Sequence, residues 1–230
     1  MSESNNHKKN YSYVWISFIV LIFGILVVPK IIKRFTSESV VDNKRIVSKT
    51  NENAPLEKIG TMPKFSFTNQ DGQVLTQDYY KGKVFVVEFF FVNCPTICPI
   101  MNKNMRVLDE HFYTYADFGI ASFSIDEEND TPEVLKHHAE ELGVQSPHWQ
   151  FFTGNEDEIF AFANKFNLYA AANPNAPGGF EHSGMFALID KNGKIRCRAD
   201  EYGNPIVFYD GTEEAGIEML KQDIEKLLKE

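Results

Sequence analysis

Two cysteines and one histidine carry the chemistry in this sequence. Cys94 and Cys98 lie in Phe91-Val92-Asn93-Cys94-Pro95-Thr96-Ile97-Cys98-Pro99, between a run of strand-forming residues and a helical pattern. Pro99 has no N–H to give and disfavours helical geometry at Cys98. The regular helix is therefore expected to begin at Pro99, with Cys98 at or near its N-cap and Cys94 in the turn before it. Unsatisfied N–H groups and the dipole at a helix N-terminus stabilise thiolate, so both sulfurs should be acidified. Soft thiolates bind Cu(I) or Zn(II), and they also exchange disulfides. Buried cysteines acting only as small apolar groups are the competing reading. Prolines flanking both cysteines at a strand-to-helix junction argue against it.

Imidazole is the usual partner of thiolates at copper and zinc. His182 sits in a glycine-rich loop, Gly178-Gly179-Phe180-Glu181-His182-Ser183-Gly184, feeding the strand 185–189. Taken alone, it reads equally well as a surface residue. Asp126 ends a second strand at the same sheet edge, and there it can orient His182 from the second shell of the site or serve the turn 126–130. Met101 and Met105 share the helical spacing of Leu108 and read as core. Cys197 alternates in phase with Ile195 and Ala199, opposite Arg196 and Arg198, and reads as a buried strand cysteine. His111, His137, His138 and His148 receive no role.

An α/β frame must position these groups. Residues 84–92 form a nearly continuous apolar, β-branched and aromatic run, the mark of a strand buried on both faces. Residues 99–112 read as helix and 119–125 as strand. Thr131-Pro132-Glu133 starts a helix with Thr131 as cap, ending at Gly143. A strand at 151–152, a helix at 155–166, a hairpin of 185–189 with 194–198, and a closing helix at 217–229 follow. An N-terminal hairpin turns at Asp71-Gly72. The pattern is an α/β sandwich with a mixed sheet.

The chain has 230 residues, 23 Lys+Arg and 32 Asp+Glu. Its charge is unevenly divided. Residues 1–54 hold eight basic and four acidic residues, which leaves 15 basic and 28 acidic in the remainder, a formal charge of −13. So acidic a domain gives no electrostatic footing for nucleic acid. Residues 1–10 form a short tail. Residues 11–30 are apolar and long enough as a helix to span one hydrocarbon core, with Tyr11, Tyr13 and Trp15 at one end. They are expected to be an uncleaved single transmembrane anchor, since no small-residue cleavage site follows. Residues 31–56 are a polar tether, and 57–230 the folded domain. Lys8 and Lys9 precede the span, while Lys30, Lys33 and Arg34 follow it. By one charge this leans toward a cytoplasmic domain.

Four segments, in order, resemble the Sco/SenC family: Cys94-Pro95-Thr96-Ile97-Cys98-Pro99 after an aromatic strand, Ser124-Ile125-Asp126 with Asp130-Thr131-Pro132-Glu133, Trp149-Gln150-Phe151-Phe152-Thr153-Gly154, and Glu181-His182-Ser183 with Leu188-Ile189-Asp190. The resemblance covers about residues 57–230. It implies a thioredoxin-like sandwich and a copper site, Cu(I) or Cu(II), held by Cys94, Cys98 and His182, with Asp126 nearby. It implies a role in maturing the binuclear copper centre of cytochrome c oxidase, with the oxidase's copper-site subunit or another copper donor or acceptor as partner. The domain would then face outward from the membrane, on the periplasmic side of a bacterial inner membrane, against the lean of the flanking charges. Glu127-Glu128-Asn129 departs from the Pro-Glu-Arg frequent at this point in the family. Three soft or borderline ligands suit Cu(I), whereas structural zinc wants a fourth. The alternative activity is enzymatic, a thiol-disulfide oxidoreductase working through Cys94 and Cys98. A peroxiredoxin-like peroxidase fits the cysteine spacing less well.

Overall fold

The computed structural model describes residues 15–17, 21–25, 28, 54–200 and 202–230. The chain divides into two compact units, Met1–Ile46 and Val47–Glu230. In the first, residues 15–17, 21–25 and 28 are helical, with Trp15, Ile16, Phe23 and Ile25 exposed. The expected anchor and tether fall largely outside the described residues. Among the described residues no helix is long and apolar enough to cross a membrane.

In the second unit, the described strands β1 (Glu57–Thr61), β2 (Ser66–Asn69), β3 (Val74–Thr76), β4 (Val84–Phe90), β5 (Phe118–Ser124), β6 (Trp149–Thr153), β9 (Met185–Ile189) and β10 (Lys194–Ala199) join one mixed sheet. Their order is β1-β10-β9-β4-β5-β6-β2-β3. Two short strands extend it, β11 (Pro205–Ile206) beside β10 and β12 (Tyr209–Asp210) beside β9. A separate hairpin pairs β7 (Ala170–Ala172) with β8 (Phe180–His182). The helices are α1 (Cys98–Phe112), α2 (Pro132–Leu142), α3 (Glu156–Lys165) and α4 (Glu214–Lys229).

β4 is the central strand, and all seven of its residues are buried. It runs parallel to β5, and β5 parallel to β6, so each connection needs a crossover, supplied by α1 and α2. On its other edge β4 is antiparallel to β9. Alternation along β4 divides the core into two layers. Phe89 packs on Phe123 and on Phe162 of α3. Phe90 points the other way and stacks on His138 of α2, with ring centroids 5.7 Å apart. α1 lies on this second face between α2 and α4, touching Asn102 to His138 on one side and His111 to Glu225 on the other.

Local chemistry explains the element ends. The Thr131 hydroxyl accepts from Val134 N with Pro132 as the first helical residue, and Gly143 closes α2 at φ +68°, a left-handed conformation that favours glycine. α1 begins one residue earlier than expected: Ile97 is its N-cap and Cys98 its first residue, with Pro99 behind it. Burial is not confined to the Cys197 face of β10. Both arginines are buried too, Arg196 against Asp190 at 2.9 Å and Glu230 at 2.8 Å, Arg198 against Asp223 at 2.7 Å. The C-terminal helix covers that face with carboxylates, so the guanidinium groups stay charged and paired. Cys197 is fully buried, and Met101 and Met105 lie wholly in the core, as expected.

Candidate metal centre

The sulfurs of Cys94 and Cys98 and a ring nitrogen of His182 all lie within 4.8 Å of one another. Among the described residues this is the cluster of three or more His, Cys, Asp or Glu side chains able to hold a metal ion. Each arrives from a different piece of the fold. Cys94 sits in the turn leaving β4, its N–H meeting Phe91 O at 3.3 Å. Cys98 opens α1. His182 is the last residue of β8 rather than a loop residue, held in register opposite Ala170.

The turn that carries Cys94 is anchored by Asp130. Its carboxylate accepts from Val92 N at 3.0 Å and from the Ser124 hydroxyl at 2.5 Å, and it is fully buried. Sequence reasoning passed over this residue because an Asp just before a helix start looks like ordinary turn chemistry. Asp126, the residue singled out instead, bonds through its carboxylate to Asn129 N and Nδ2 at 2.9–3.0 Å. It therefore serves the turn, and the structure does not join it to the three-ligand cluster.

The hairpin that carries His182 is pressed onto the cysteine turn. A Cβ on Gly178 would stand 2.7 Å from the Phe91 ring and 3.2 Å from Pro95 Cδ, and its φ is +82°. Only glycine meets both demands. Phe91 sits between the two halves, in contact with Phe180 at 5.3 Å and edge-to-face with the His182 ring at 5.8 Å. An open cavity of about 350 Å³ remains, lined by Cys94, Thr96, Ile97, Tyr169, Phe180 and His182.

The two sulfurs differ in character. Burial pushes the Cys94 thiol up, but hydrogen bonds with His182, Thr96 and Cys98 outweigh it and bring the group to about 5. Cys94 is therefore a thiolate at neutral pH. Cys98 is 1% exposed, and burial raises it far above the usual thiol range, further opposed to ionisation by Cys94 and by Glu88. His182 Nε2 stands 3.0 Å from Cys98 Sγ, and Nδ1 faces Ser183 O at 3.3 Å. The Nε2 atom that faces the sulfur is the ring atom placed to donate to a cation held between them. Two sulfurs and one nitrogen at this spacing form a soft, three-donor set.

The family model described as SCO1/SenC matches residues 53–215. The chain belongs to the SCO1/SenC family. Among curated SCO1/SenC-related proteins, the SCO1 protein homolog of Bacillus subtilis (strain 168) is 36% identical over 133 residues, which is 57% of this chain and 69% of that one. The crystal structure of a SCO1/SenC family lipoprotein from Bacillus anthracis superposes with a TM-score of 0.64 at 31% identity, covering 74% of this chain and 95% of that one. BsSco, described as having a disulfide switch and as a member of the Sco family of cytochrome c oxidase assembly proteins, gives 0.63 at 30% identity over 76% and 98%. The thioredoxin-like SCO1/SenC fold expected from the resemblance is thus the fold observed.

Proposed function

We propose that this SCO1/SenC protein is a membrane-anchored copper chaperone that serves the binuclear copper site of cytochrome c oxidase. It binds one copper ion as cargo through Cys94, Cys98 and His182. The observation that carries the reading is the convergence of those three donor atoms within 4.8 Å from segments far apart in the chain. Thiolate–imidazole donors favour Cu(I) over harder divalent ions, and among the described residues no fourth His, Cys, Asp or Glu joins the cluster, which disfavours structural zinc. The open cavity beside Cys94 leaves room for a partner's ligand to reach the ion and take it by exchange. Residues 11–30 supply the anchor, 31–56 the tether and 57–230 the copper-binding domain, held on the periplasmic side. The Bacillus anthracis relative's description as a lipoprotein supports membrane attachment in this family. The partner is the oxidase subunit that holds the copper site, or another copper donor or acceptor.

The test is copper content after anaerobic Cu(I) loading of the full chain and of Cys94→Ala, Cys98→Ala and His182→Ala. One copper per wild-type chain is expected, with loss in each cysteine variant and binding weakened by about tenfold or more in His182→Ala. Copper content and affinity like wild type in His182→Ala would remove the histidine from the site.

One observation favours a second reading, thiol-disulfide exchange on a partner's cysteines. The pair is asymmetric, with an acidic Cys94 lining the open cavity and a more deeply buried Cys98 of raised basicity. That is the division of labour between an attacking thiolate and a resolving thiol. A reductase of this kind keeps activity in His182→Ala and loses it in either cysteine variant. The two readings share the same sulfurs and are compatible.

A further inference from the structure

The cavity beside Cys94 has two unlike parts. Ile97, Pro177 and Phe180 give it an apolar wall, and Tyr169 and Glu181 give it a polar rim. Glu181 immediately precedes His182, but strand alternation separates them. Phe180 and His182 are half-buried toward the cysteine turn, and Glu181 is exposed. Its carboxylate still has a fixed place. Glu181 stands opposite Ala171 of β7, and the residues two positions either side of Ala171 reach across to it. The Tyr169 hydroxyl donates to Glu181 Oε2 at 3.3 Å, and Asn173 Nδ2 donates to Oε1 at 2.9 Å. Tyr169 is itself tied to the histidine strand, its carbonyl accepting from Ser183 N at 2.9 Å.

Both donors are uncharged, so they orient the carboxylate without neutralising it. Among the described residues no Lys or Arg lines the cavity. The hairpin has other means of holding its place: backbone pairing of β7 with β8, and the contacts of Gly178, Phe180 and His182 with Phe91. What remains at the rim is an oriented negative charge, next in sequence to a metal ligand and adjoining an apolar wall. Such a charge attracts a cation from outside and discriminates against an anion. The wider field has the same sign, since residues 55–230 hold 15 basic and 28 acidic residues.

We propose that Glu181 selects the partner: its carboxylate docks a Lys or Arg that flanks the cysteine a partner protein presents to Cys94, while an apolar side chain of the same segment rests on Ile97, Pro177 and Phe180. The occupant of the cavity is thus an extended segment of a second protein, cationic and apolar around its cysteine. Charge complementarity supplies the preference for Lys or Arg, and the apolar wall supplies the rest of the footprint. The inference deepens the two readings above and rests on the one element they share, that a partner meets Cys94.

The experiment uses the reduced, metal-free full chain and two short peptides, each with a leucine beside a single cysteine and differing only in flanking lysines or flanking glutamates. Each peptide cysteine is first joined to an aromatic thiol. The Cys94 sulfur attacks the peptide sulfur, the S–S bond breaks, and the aromatic thiolate leaves with the bonding pair, its absorbance giving the rate. The quantity read is the ratio of the lysine-peptide rate to the glutamate-peptide rate, which cancels any change in the reactivity of Cys94 itself. In wild type the ratio should be about tenfold at low salt and fall toward one at about 1 M salt. Glu181→Gln keeps an oxygen acceptor for the hairpin but no charge, and it should lower the ratio by about threefold or more. Glu181→Lys should lower it further. Asp117→Asn removes the same charge just before the start of β5, at the sheet edge opposite the cysteine turn, and should leave the ratio near that of wild type. Equal ratios in wild type and Glu181→Gln overturn the proposal. So does an equal fall in Asp117→Asn, which would reduce the effect to net charge, and so does a Cys94 that reacts with neither peptide. Copper takes no part in this assay, so its outcome is separate from the copper-content test of the chaperone reading.

Discussion

At the scale of single residues, the site depends on how differently two identical side chains can be tuned four positions apart. Cys94 receives hydrogen bonds that outweigh its burial, while Cys98, first in its helix, is so enclosed that the helix N-terminus does not make it acidic. The consequence is testable by alkylation. Cys94 ionises at about 5, so it is a thiolate above that pH and a thiol below it. Its reaction with iodoacetamide should hold a plateau from neutral pH down to about 6 and fall only below about 5, whereas an unperturbed thiol loses rate from about 8.5 downward. In His182→Ala the fall should move to higher pH, because the ring's hydrogen bond to the thiolate is gone. A midpoint near 8 in the wild type would refute the assignment. The helix dipole predicts acidification of both cysteines; Cys94 is acidic, through hydrogen bonds, and Cys98 is not. Residue types and spacing single out both sulfurs, but burial depth is a property of packing, which adjacent residue types do not reveal.

At the scale of elements, the cysteine turn and the histidine hairpin are two separately built parts pressed together through Phe91. Gly178 is the position where that pressing has no tolerance. A methyl group there would meet the Phe91 ring at 2.7 Å, on a backbone at φ +82°. Gly178→Ala should lift β8 away from the cysteine turn while leaving the main sheet intact. The expected result is Cu(I) affinity reduced by about tenfold or more, from misplacement of the imidazole, with the thermal midpoint changed little. Competition against a chelator of known affinity measures it; unchanged affinity would show that the hairpin does not need this close approach. The same hairpin marks a limit of legibility. Ala170-Ala171-Ala172 has neither alternation nor β-branching, so β7 leaves no signature, and its partner β8 reads as a glycine-rich loop. β1 was invisible for another reason: all five residues are exposed, and an edge strand without a buried face carries no hydrophobic pattern. β4 and β5, buried along their whole length, were legible from residue types alone. So were the Thr131 cap and the Asp71-Gly72 hairpin, because their chemistry is local.

At the scale of the whole molecule, the second unit is a sandwich whose central strand delivers the cysteine turn at its carboxyl end, and whose return strands bring the histidine back to the same edge. Long-range charge pairing lay beyond sequence reasoning here. Arg198 finds Asp223 and Arg196 finds Glu230 across 25 and 34 residues, and alternation along β10 gives no hint of either. On the proposed reading copper ligates all three segments only in the folded state, so binding stabilises the fold as a whole. Copper at about 100 times its dissociation constant should add roughly 2.7 kcal/mol to the unfolding free energy, read as a rise of several degrees in the melting midpoint. His182→Ala should lose much of that rise, and Cys94→Ala or Cys98→Ala nearly all of it. A copper-independent midpoint in the wild type would mean that the ion does not bridge the segments.

Cys98 and His182 are separated by 84 residues of chain. At usual elongation speeds the dithiol leaves the ribosome roughly 4–17 s before its imidazole. Throughout that window the nascent polypeptide carries a bare sulfur pair, open to oxidants or to whichever thiophilic ion arrives first. Selectivity contributed by the nitrogen donor begins only after translation has passed it, and a chain loaded early must be corrected later or discarded.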